Sequence, residues 1–364
     1  MKRNILIVFI VAIVFHLVVV YDTVGQSTTS KHPNVVFIIC DDLNDYEGVF
    51  GGHPQVKTPN IDKLAQSGIS FTNAHSNCPV CAPSRNSLFT GVYPFVSGDF
   101  GWTALKDLPG LKNNKTIMEL FAENGCHVMG SGKLLHHHRK DFWQEWGINI
   151  NNYGPVAFNG IEPVGHPSVP EPYRNIGPID GSFAPLCDDL FAEESLGFIR
   201  KNKDNPFFLY LPFTIPHGKY QVPDDTPYSN ENWTKKQKNY AAMITRMDKD
   251  IGRIFSLLDS LDLDENTIVF FASDNGGVKE ISDFFESQSP FHGNKTDCYE
   301  GGIRSPLIVR WPGKIMAGSK SDHVSAFWDM MPTCCELAQT SMPENTDGIS
   351  MLPELPGQKQ LQHK

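Results

Sequence analysis

The sequence has little basic charge for its length. Its 364 residues include 31 lysines and arginines but 41 aspartates and glutamates, so the formal net charge is −10 at pH 7. Because nucleic-acid binding depends on a basic surface, this balance argues against a nucleic-acid partner. An anionic substrate would have to be held by a few local cations against an unfavourable overall field.

Zinc-finger spacing, internal repeats and low-complexity segments are also absent. The chain contains eight cysteines, namely Cys40, Cys78, Cys81, Cys126, Cys187, Cys298, Cys334 and Cys335. Their spacing does not match a metal finger, although it permits disulfides in an exported protein. The sequence assigns no pairs among them.

Only one apolar run approaches the length of a membrane span. It extends from Ile5 to Val20 and follows Lys2 and Arg3, an order that is typical of a secretory signal peptide. A membrane anchor is the alternative, but the run is slightly short and contains His16. We therefore expect residues 1–25 to be a signal peptide. The mature protein would have no stable membrane span and would be periplasmic or extracellular, or lysosomal in a eukaryotic host.

Predicted strands and helices alternate along the rest of the chain. Continuous apolar runs at residues 35–39, 207–213 and 267–272 predict buried strands, and helical periodicity at residues 234–261 predicts a long helix. This alternation predicts an α/β fold with a mostly parallel sheet sandwiched by helices. The length allows one large domain or two smaller ones.

Polar side chains follow these three strands. Asp41 and Asp42 follow the first, His217 the second, and Asp274 and Asn275 the third. Ligands of open α/β sheets bind at the carboxyl ends of the strands, and adjacent carboxylates favour a hard cation. For the Asp-Asp pair alone, a solvated turn in which one acid caps a helix is the alternative. The set of oxygen ligands from both strand ends favours Ca²⁺, with Mg²⁺ as the alternative, over zinc.

A short capped helix is predicted next to Cys81. Pro83 suits its first turn, and Gly91 suits its left-handed C-terminal cap. Free backbone N–H groups at the start of the helix, together with Arg85, would face an anion there. A buried cysteine beside an ordinary helix is the alternative interpretation.

Residues 132–138 place a lysine and three histidines after another predicted strand. Consecutive histidines point in different directions, so a three-histidine zinc site is not expected. One or two histidines acting as proton carriers, or a solvated loop, are both open here. Residues 151–185, rich in Gly, Pro and Asn, are predicted to be an ordered loop on the substrate side.

The motifs, taken in order, resemble those of type I sulfatases. Residues 81–91 are similar to the Cys-x-Pro-x-Arg…Thr-Gly element of that family. Asp-Asp precedes this element, and Gly-Lys followed by His, Pro-His, Asp-Asn-Gly and Lys…Glu-Gly-Gly-x-Arg-x-Pro follow it. The spacing is closer to iduronate-sulfatase-like carbohydrate enzymes than to steroid or lipid enzymes. The resemblance implies an alkaline-phosphatase-like fold, with residues 33–352 as the catalytic domain and residues 353–364 as the truncated start of a C-terminal region.

The resemblance also implies a catalytic chemistry. A maturation enzyme would oxidise Cys81 to formylglycine, and the hydrated aldehyde would attack the sulfur of a sulfate monoester. Its second hydroxyl would then expel sulfate as the aldehyde re-forms. This requirement explains why a cysteine stands where other esterases of similar fold carry Ser or Thr.

Family positions carry over to this chain residue by residue. The implied metal ligands are Asp41, Asp42, Asp274, Asn275 and residue 81. Arg85 and Lys133 are implied to stabilise the charge of the sulfate, and His136 is the matching base near residue 81, with His137 as a less suitable candidate. His217 and Lys295 are implied to contact the ester oxygen and help to protonate the leaving alcohol.

We therefore expect a sulfuric ester hydrolase that acts on a sulfated carbohydrate. A phosphate or phosphonate ester hydrolase of the same superfamily is the second hypothesis, because the charge requirements overlap. An inactive relative that only binds sulfated glycans is the third, because the sequence shows that Cys81 can be modified and not that it is.

Overall fold

A mixed eight-stranded sheet lies at the centre of the computed structural model, which describes residues 32–363 except 46, 112, 136–139, 148–186, 219, 221 and 223. The expected signal peptide, His136, His137 and the expected loop at 151–185 lie outside the described residues. Among the helices of the described part, none is both long and apolar enough to cross a membrane.

The strands differ widely in length. They are β1 (Asn34–Asp41), β2 (Ile69–Phe71), β3 (Ala74–His75), β4 (His127–Gly130), β5 (Glu145–Trp146), β6 (Phe207–Pro216), β7 (Thr267–Ser273), β8 (Leu307–Arg310), β9 (Ser319–Ser321) and β10 (Ser325–Ala326). The main sheet has the order β5-β4-β6-β1-β7-β8-β2-β9, and β10 and β3 form a separate parallel pair. β1 lies between β6 and β7 and is parallel to both, whereas β8 is antiparallel to both β7 and β2. The prediction of a mostly parallel sheet is therefore confirmed.

Helices cover both faces of this sheet. The α-helices are α1 (Pro59–Gln66), α2 (Cys81–Thr90), α3 (Pro94–Ser97), α4 (Ile117–Glu123), α5 (Cys187–Lys201), α6 (Lys235–Ser260), α7 (Lys279–Phe285), α8 (Glu300–Ile303) and α9 (Met330–Leu337). Short 3-10 helices occur at Gly48–Phe50, Leu105–Asp107, Pro109–Leu111, Lys140–Phe142, Thr226–Tyr228, Asp264–Asn266 and Phe327–Asp329.

Two apolar cores lie on opposite faces of the sheet because side chains alternate along each strand. Val36 and Ile38 of β1 pack in one core with α1, α5 and α6. Val35, Phe37 and Ile39 pack in the other with α2, α4 and α9. Because β1 is buried on both faces, every one of its residues is buried, which explains its continuous apolar sequence.

Two of the helices begin with the capping box that their sequence predicts, and a third begins at a threonine without a side-chain cap. Thr116 and Thr234 form capping boxes with Glu119 and Gln237, at the starts of α4 and α6. Thr58, which also precedes a helix, makes no side-chain capping bond. The helix expected to follow Cys81 instead includes Cys81 as its first residue. The thiol therefore lies on the first turn of α2, beside the free backbone N–H groups.

Candidate active site

The carboxyl ends of β1 and β7 bring four polar residues together. Cys40 of β1 is in register with Ser273 of β7, so the residues that follow each strand emerge side by side. The backbone N–H of Asp274 donates to the Cys40 carbonyl at 3.1 Å, and that of Asp42 donates to Asp274 Oδ1 at 3.2 Å. Asp42 has a φ of 68°, a left-handed conformation that turns the chain at this point.

α2 adds Cys81 and Arg85 to this edge of the sheet. The Arg85 guanidinium is fully buried, and both Nε and Nη2 lie 2.8 Å from Asp274 Oδ2. Nη1 donates to the Lys133 carbonyl and, at 3.3 Å, to the Tyr210 hydroxyl. Tyr210 was not predicted, because its position within the apolar run of β6 carries no signal for a polar role.

A turn after β4 directs Lys133 into the site. Gly132 has a φ of 119°, and a Cβ there would overlap the Pro212 carbonyl oxygen, so this position requires glycine. The backbone N–H of Lys133 donates to the same carbonyl at 3.1 Å. Its Nζ lies 2.5 Å from Asp41 Oδ2, and neither side chain is exposed to solvent. The Gly-Lys motif therefore delivers a buried ammonium group to the end of β1.

Asp42 is paired with two cationic groups on the more open side of the site. Lys295 Nζ lies 2.6 and 2.8 Å from the two carboxylate oxygens of Asp42. His217 Nε2 lies 3.5 Å from Asp42 Oδ2, and its Nδ1 lies 2.6 Å from the Gly218 carbonyl. Because a carbonyl only accepts, this contact assigns a proton to Nδ1 and turns Nε2 towards Asp42. The side chains of Lys295 and His217 are 16% and 28% exposed, so both can meet a substrate.

Burial and neighbouring charges shift the pKa values of Asp41, Asp274 and Cys81 in different directions. Burial raises the pKa of Asp41, but Lys133, His217 and Arg85 outweigh it and hold that pKa below its usual value. Burial and the neighbouring Asp41 raise the pKa of Asp274 to about 6, although Arg85 opposes them. Burial also raises the pKa of the Cys81 thiol to about 11, despite Lys133. A thiol with this pKa is protonated at neutral pH and is a poor nucleophile.

The same residues fit a hard metal ion. Ligand atoms of Asp41, Cys81 and Asp274 lie within 4.8 Å of one another, and so do those of Asp41, Asp42 and His217. Asp41 Oδ1 and Asn275 Oδ1 are buried oxygen atoms without a hydrogen-bond partner. Buried acceptors of this kind are costly, and carboxylate and amide oxygens are the ligands that Ca²⁺ prefers. The unpaired oxygens and the close carboxylates therefore match the predicted ligand set.

The structure brings the described candidate residues into one cluster. They are Asp41, Asp42, Cys81, Arg85, Lys133, His217, Asp274, Asn275 and Lys295. Asn275 Nδ2 donates to Asp42 Oδ1 at 2.7 Å, which holds the amide oxygen in place. Besides Tyr210, sequence reasoning missed Ser273, whose hydroxyl accepts from the Leu43 N–H and donates to the Asn275 carbonyl. Ser273 therefore links the turn after β1, which carries Asp41 and Asp42, to the turn after β7, which carries Asp274.

Comparison with known proteins identifies relatives of the chain. The sulfatase family model matches residues 33–340. The N-acetylgalactosamine-6-sulfatase of Rattus norvegicus is 31% identical, over 89% of this chain and 66% of that protein. The ulvan-active sulfatase of Formosa agariphila is 29% identical, over 91% of this chain and 59% of that protein. The crystal structure of Ps i-CgsB in complex with k-i-k-neocarrahexaose has a TM-score of 0.73 and 27% identity, covering 92% of this chain and 80% of that one. The chain thus spans 59–66% of the length of these two curated relatives.

Proposed function

The chain belongs to the sulfatase family, a family of sulfuric ester hydrolases, and we propose that it hydrolyses sulfate monoesters on sulfated carbohydrates. The observation that carries the proposal is the approach of the Cys81 side chain to Asp41 and Asp274, within 4.8 Å, between buried Arg85 and Lys133. The names of the relatives support a carbohydrate substrate. One is an N-acetylgalactosamine-6-sulfatase, one is an ulvan-active sulfatase, and one was solved with a neocarrahexaose.

A divalent cation would be held by Asp41, Asp42, Asp274, Asn275 and residue 81. Ca²⁺ is the proposed ion, with Mg²⁺ as the alternative. When bound, it would polarise the sulfate oxygens and offset the negative charge of the ester. The three carboxylates of the site are matched by Arg85, Lys133 and Lys295, so an added divalent cation leaves net positive charge for an anionic substrate.

Residue 81 is the proposed nucleophile after conversion from cysteine to formylglycine by a maturation enzyme. Its hydrated form supplies a hydroxyl that the unmodified thiol lacks. Arg85 orients Asp274 and contributes fixed positive charge next to residue 81. Lys133 orients Asp41 and contributes a second positive charge, and the Tyr210 hydroxyl helps to hold the Arg85 guanidinium in place. These groups are preorganised because they are fully buried.

Lys295 and His217 are proposed to act on the leaving alcohol. Both are partly exposed, and both contact Asp42, which fixes their positions relative to the metal ligands. Lys295 would stabilise charge on the ester oxygen, while His217 Nε2 would deliver a proton to it. His136 lies outside the described residues, so its proposed role as a base near residue 81 rests on the motif alone.

The boundaries of the signal peptide and of the catalytic domain also belong to this proposal. Residues 33–352 would form the catalytic domain, and residues 353–364 would begin a C-terminal region. Residues 1–25 would direct export to the periplasm, the extracellular space or the lysosome, where sulfated polysaccharides are accessible. The maturation enzyme would act on Cys81 before or during folding, because this residue is only 3% exposed in the folded protein.

Matched substrates test the proposed reaction. Full-length protein in which mass spectrometry has identified formylglycine at residue 81 should release sulfate from an aryl sulfate faster than phosphate from the matched aryl phosphate. It should also release sulfate from oligosaccharides of chondroitin, ulvan or carrageenan. Faster turnover of the phosphate ester would favour the phosphatase hypothesis. Binding of sulfated oligosaccharides without sulfate release would favour the glycan-binding hypothesis.

Removal of the metal is expected to lower kcat by at least about 100-fold, because several kcal/mol of charge stabilisation would be lost. The measurement is aryl sulfate turnover after dialysis against EDTA and again after addition of Ca²⁺ or Zn²⁺, with recovery expected only for Ca²⁺. Ca²⁺ should also raise the melting temperature by mass action.

Two substitutions separate this effect from general cation binding. Asp274→Asn should abolish the Ca²⁺-dependent rise in melting temperature. Asp283→Asn, which alters an exposed acid paired with Lys279, should retain it. A melting temperature that does not respond to Ca²⁺ in the unsubstituted protein would contradict the proposed metal site.

A further inference from the structure

Two segments that carry site residues run side by side. One contains residues 74–81 and leads into α2, and the other contains residues 295–305. The Ser76 N–H donates to the Ile303 carbonyl at 2.7 Å, and the Ser305 N–H donates to the Ala74 carbonyl at 3.1 Å. Further along, the Thr296 N–H donates to the Pro79 carbonyl at 2.9 Å. These contacts follow one another in opposite order along the two segments, and His75 and Arg304 form an antiparallel bridge.

Each of these segments contains a cysteine outside the site. Cys78 precedes Pro79 directly, and Cys298 lies two residues after Thr296. Because the Thr296 N–H is bonded to the Pro79 carbonyl, Cys78 lies one residue and Cys298 two residues from a direct hydrogen bond between the segments. A disulfide requires about 4.4–6.8 Å between its Cα atoms, and the contact of the two segments next to both cysteines makes them a candidate pair.

Both thiols are accessible and unbridged in the structure. Cys298 is exposed and Cys78 is partly buried. Burial raises the pKa of the Cys78 thiol to about 11, although the Val80 N–H opposes it, and the nearby Cys298 adds to the rise. This contribution of Cys298 is consistent with the proximity of the two segments that the backbone hydrogen bonds show. The fully buried Cys40 and Cys334, by contrast, lie inside the apolar cores.

We propose that Cys78 and Cys298 form a disulfide that joins the segment carrying Cys81 to the segment carrying Lys295. The reaction needs a disulfide oxidant, either an exported thiol–disulfide oxidoreductase or, in vitro, glutathione disulfide. The Cys298 thiolate attacks the oxidant's disulfide and releases one of its thiols. The Cys78 thiolate then attacks the mixed disulfide and releases the second thiol. The two cysteines lose two protons and two electrons, and the oxidant is reduced to two thiols.

This disulfide would have two consequences for the site. It would restrict the relative motion of the segments three residues before Cys81 and three residues after Lys295. It would also remove Cys78 from competition for Cys81, with which it forms a Cys-Pro-Val-Cys sequence. A disulfide between Cys78 and Cys81 would block conversion of Cys81, so the partner of Cys78 matters for maturation. The pairing itself does not depend on the proposed reaction.

Peptide mapping tests the pairing directly. The full chain is reduced, re-oxidised with glutathione disulfide, blocked with N-ethylmaleimide and digested with trypsin without reductant. Trypsin releases Cys78 and Cys81 together in the peptide Leu64–Arg85, and Cys298 in the peptide Thr296–Arg304. We expect these two peptides to be joined through Cys78, and the same species reports the chemical state of residue 81. An internal Cys78–Cys81 disulfide, glutathione adducts, or blocked thiols at Cys78 and Cys298 would overturn the proposal.

Thermal unfolding provides a second measurement. Reductant should lower the melting temperature of the oxidised protein by about 5 °C, because the cross-link would close a long loop. Cys298→Ser should show the lower melting temperature with or without reductant. Cys126→Ser, a substitution of a buried cysteine directly before β4, should retain the response. Equal responses to reductant in Cys298→Ser and the unsubstituted protein would also overturn the proposal.

Discussion

Replacement of Cys81 by alanine is expected to lower kcat/KM for an aryl sulfate by about four to six orders of magnitude, the scale seen when a covalent nucleophile is removed. Alanine retains the first turn of α2 but cannot be converted to an aldehyde. The substitution should leave the melting temperature nearly unchanged, because it removes only a small group from the side chain. Initial rates of sulfate release on purified, folded protein provide the measurement.

Cys78→Ser is the matched control for this substitution. It removes a thiol from the same segment, three residues away, and should retain most of the activity. If Cys81→Ala kept the activity of the unsubstituted protein, residue 81 would not be the nucleophile. If both variants lost activity equally, the effect would be due to the segment and not to residue 81.

Lys133→Met is expected to lower the free energy of unfolding by about 3–5 kcal/mol in the presence of a chelator. The substitution leaves the fully buried Asp41 carboxylate without the ammonium group that lies 2.5 Å away. Loss of a charge that stabilises the transition state should also lower kcat by roughly 100- to 1000-fold. Urea unfolding in EDTA and aryl sulfate turnover in Ca²⁺ measure the two effects separately.

The pH dependence of the free energy of unfolding tests whether the Asp41 carboxylate causes the loss of stability in Lys133→Met. In the unsubstituted protein the pKa of Asp41 is lowered, so its contribution to stability is present above the unfolded pKa of about 4 and is lost as the pH falls towards the folded value. Without Lys133, burial should raise that pKa. The stability of Lys133→Met should then fall as the pH rises above about 4, and the two proteins should differ more at pH 7 than at pH 4.

Lys115→Met provides the surface control. Lys115 Nζ lies 2.6 Å from Glu123 Oε2, but both side chains are about half exposed. Its loss should cost less than about 1 kcal/mol, because water screens the pair. An equally small cost for Lys133→Met would show that Asp41 does not depend on the lysine in the folded protein.

Local patterns in the sequence were sufficient to predict much of the fold. The apolar runs of β1, β6 and β7 were identified because central parallel strands are buried on both faces. The long helix α6 was identified from its periodicity, and the sequence-predicted cap at Gly91 has a φ of 69°. The antiparallel direction of β8 was not predicted, because an apolar strand has the same sequence pattern in either direction.

The candidate site was only partly accessible to sequence reasoning. Asp41, Asp42, Asp274 and Asn275 could be grouped because the carboxyl ends of neighbouring parallel strands meet at one edge. Strand order alone could not predict that Lys133 pairs with Asp41 and Lys295 with Asp42. Each pair joins loops that are distant in sequence. The contact of Tyr210 with Arg85 was not predicted either, because an aromatic residue in a buried strand is expected to belong to the apolar core.

The sequence by itself determined which polar residues follow the buried strands, and the resemblance of its motifs to those of sulfatases predicted which of them would hold a metal and attack an ester. Only the tertiary structure decided which cation faces which carboxylate and which backbone segments lie in contact, including those of Cys78 and Cys298. The physical reason is that such pairings depend on strand order and on the turns after each strand, which are set by packing of the whole sheet and not by neighbours along the chain.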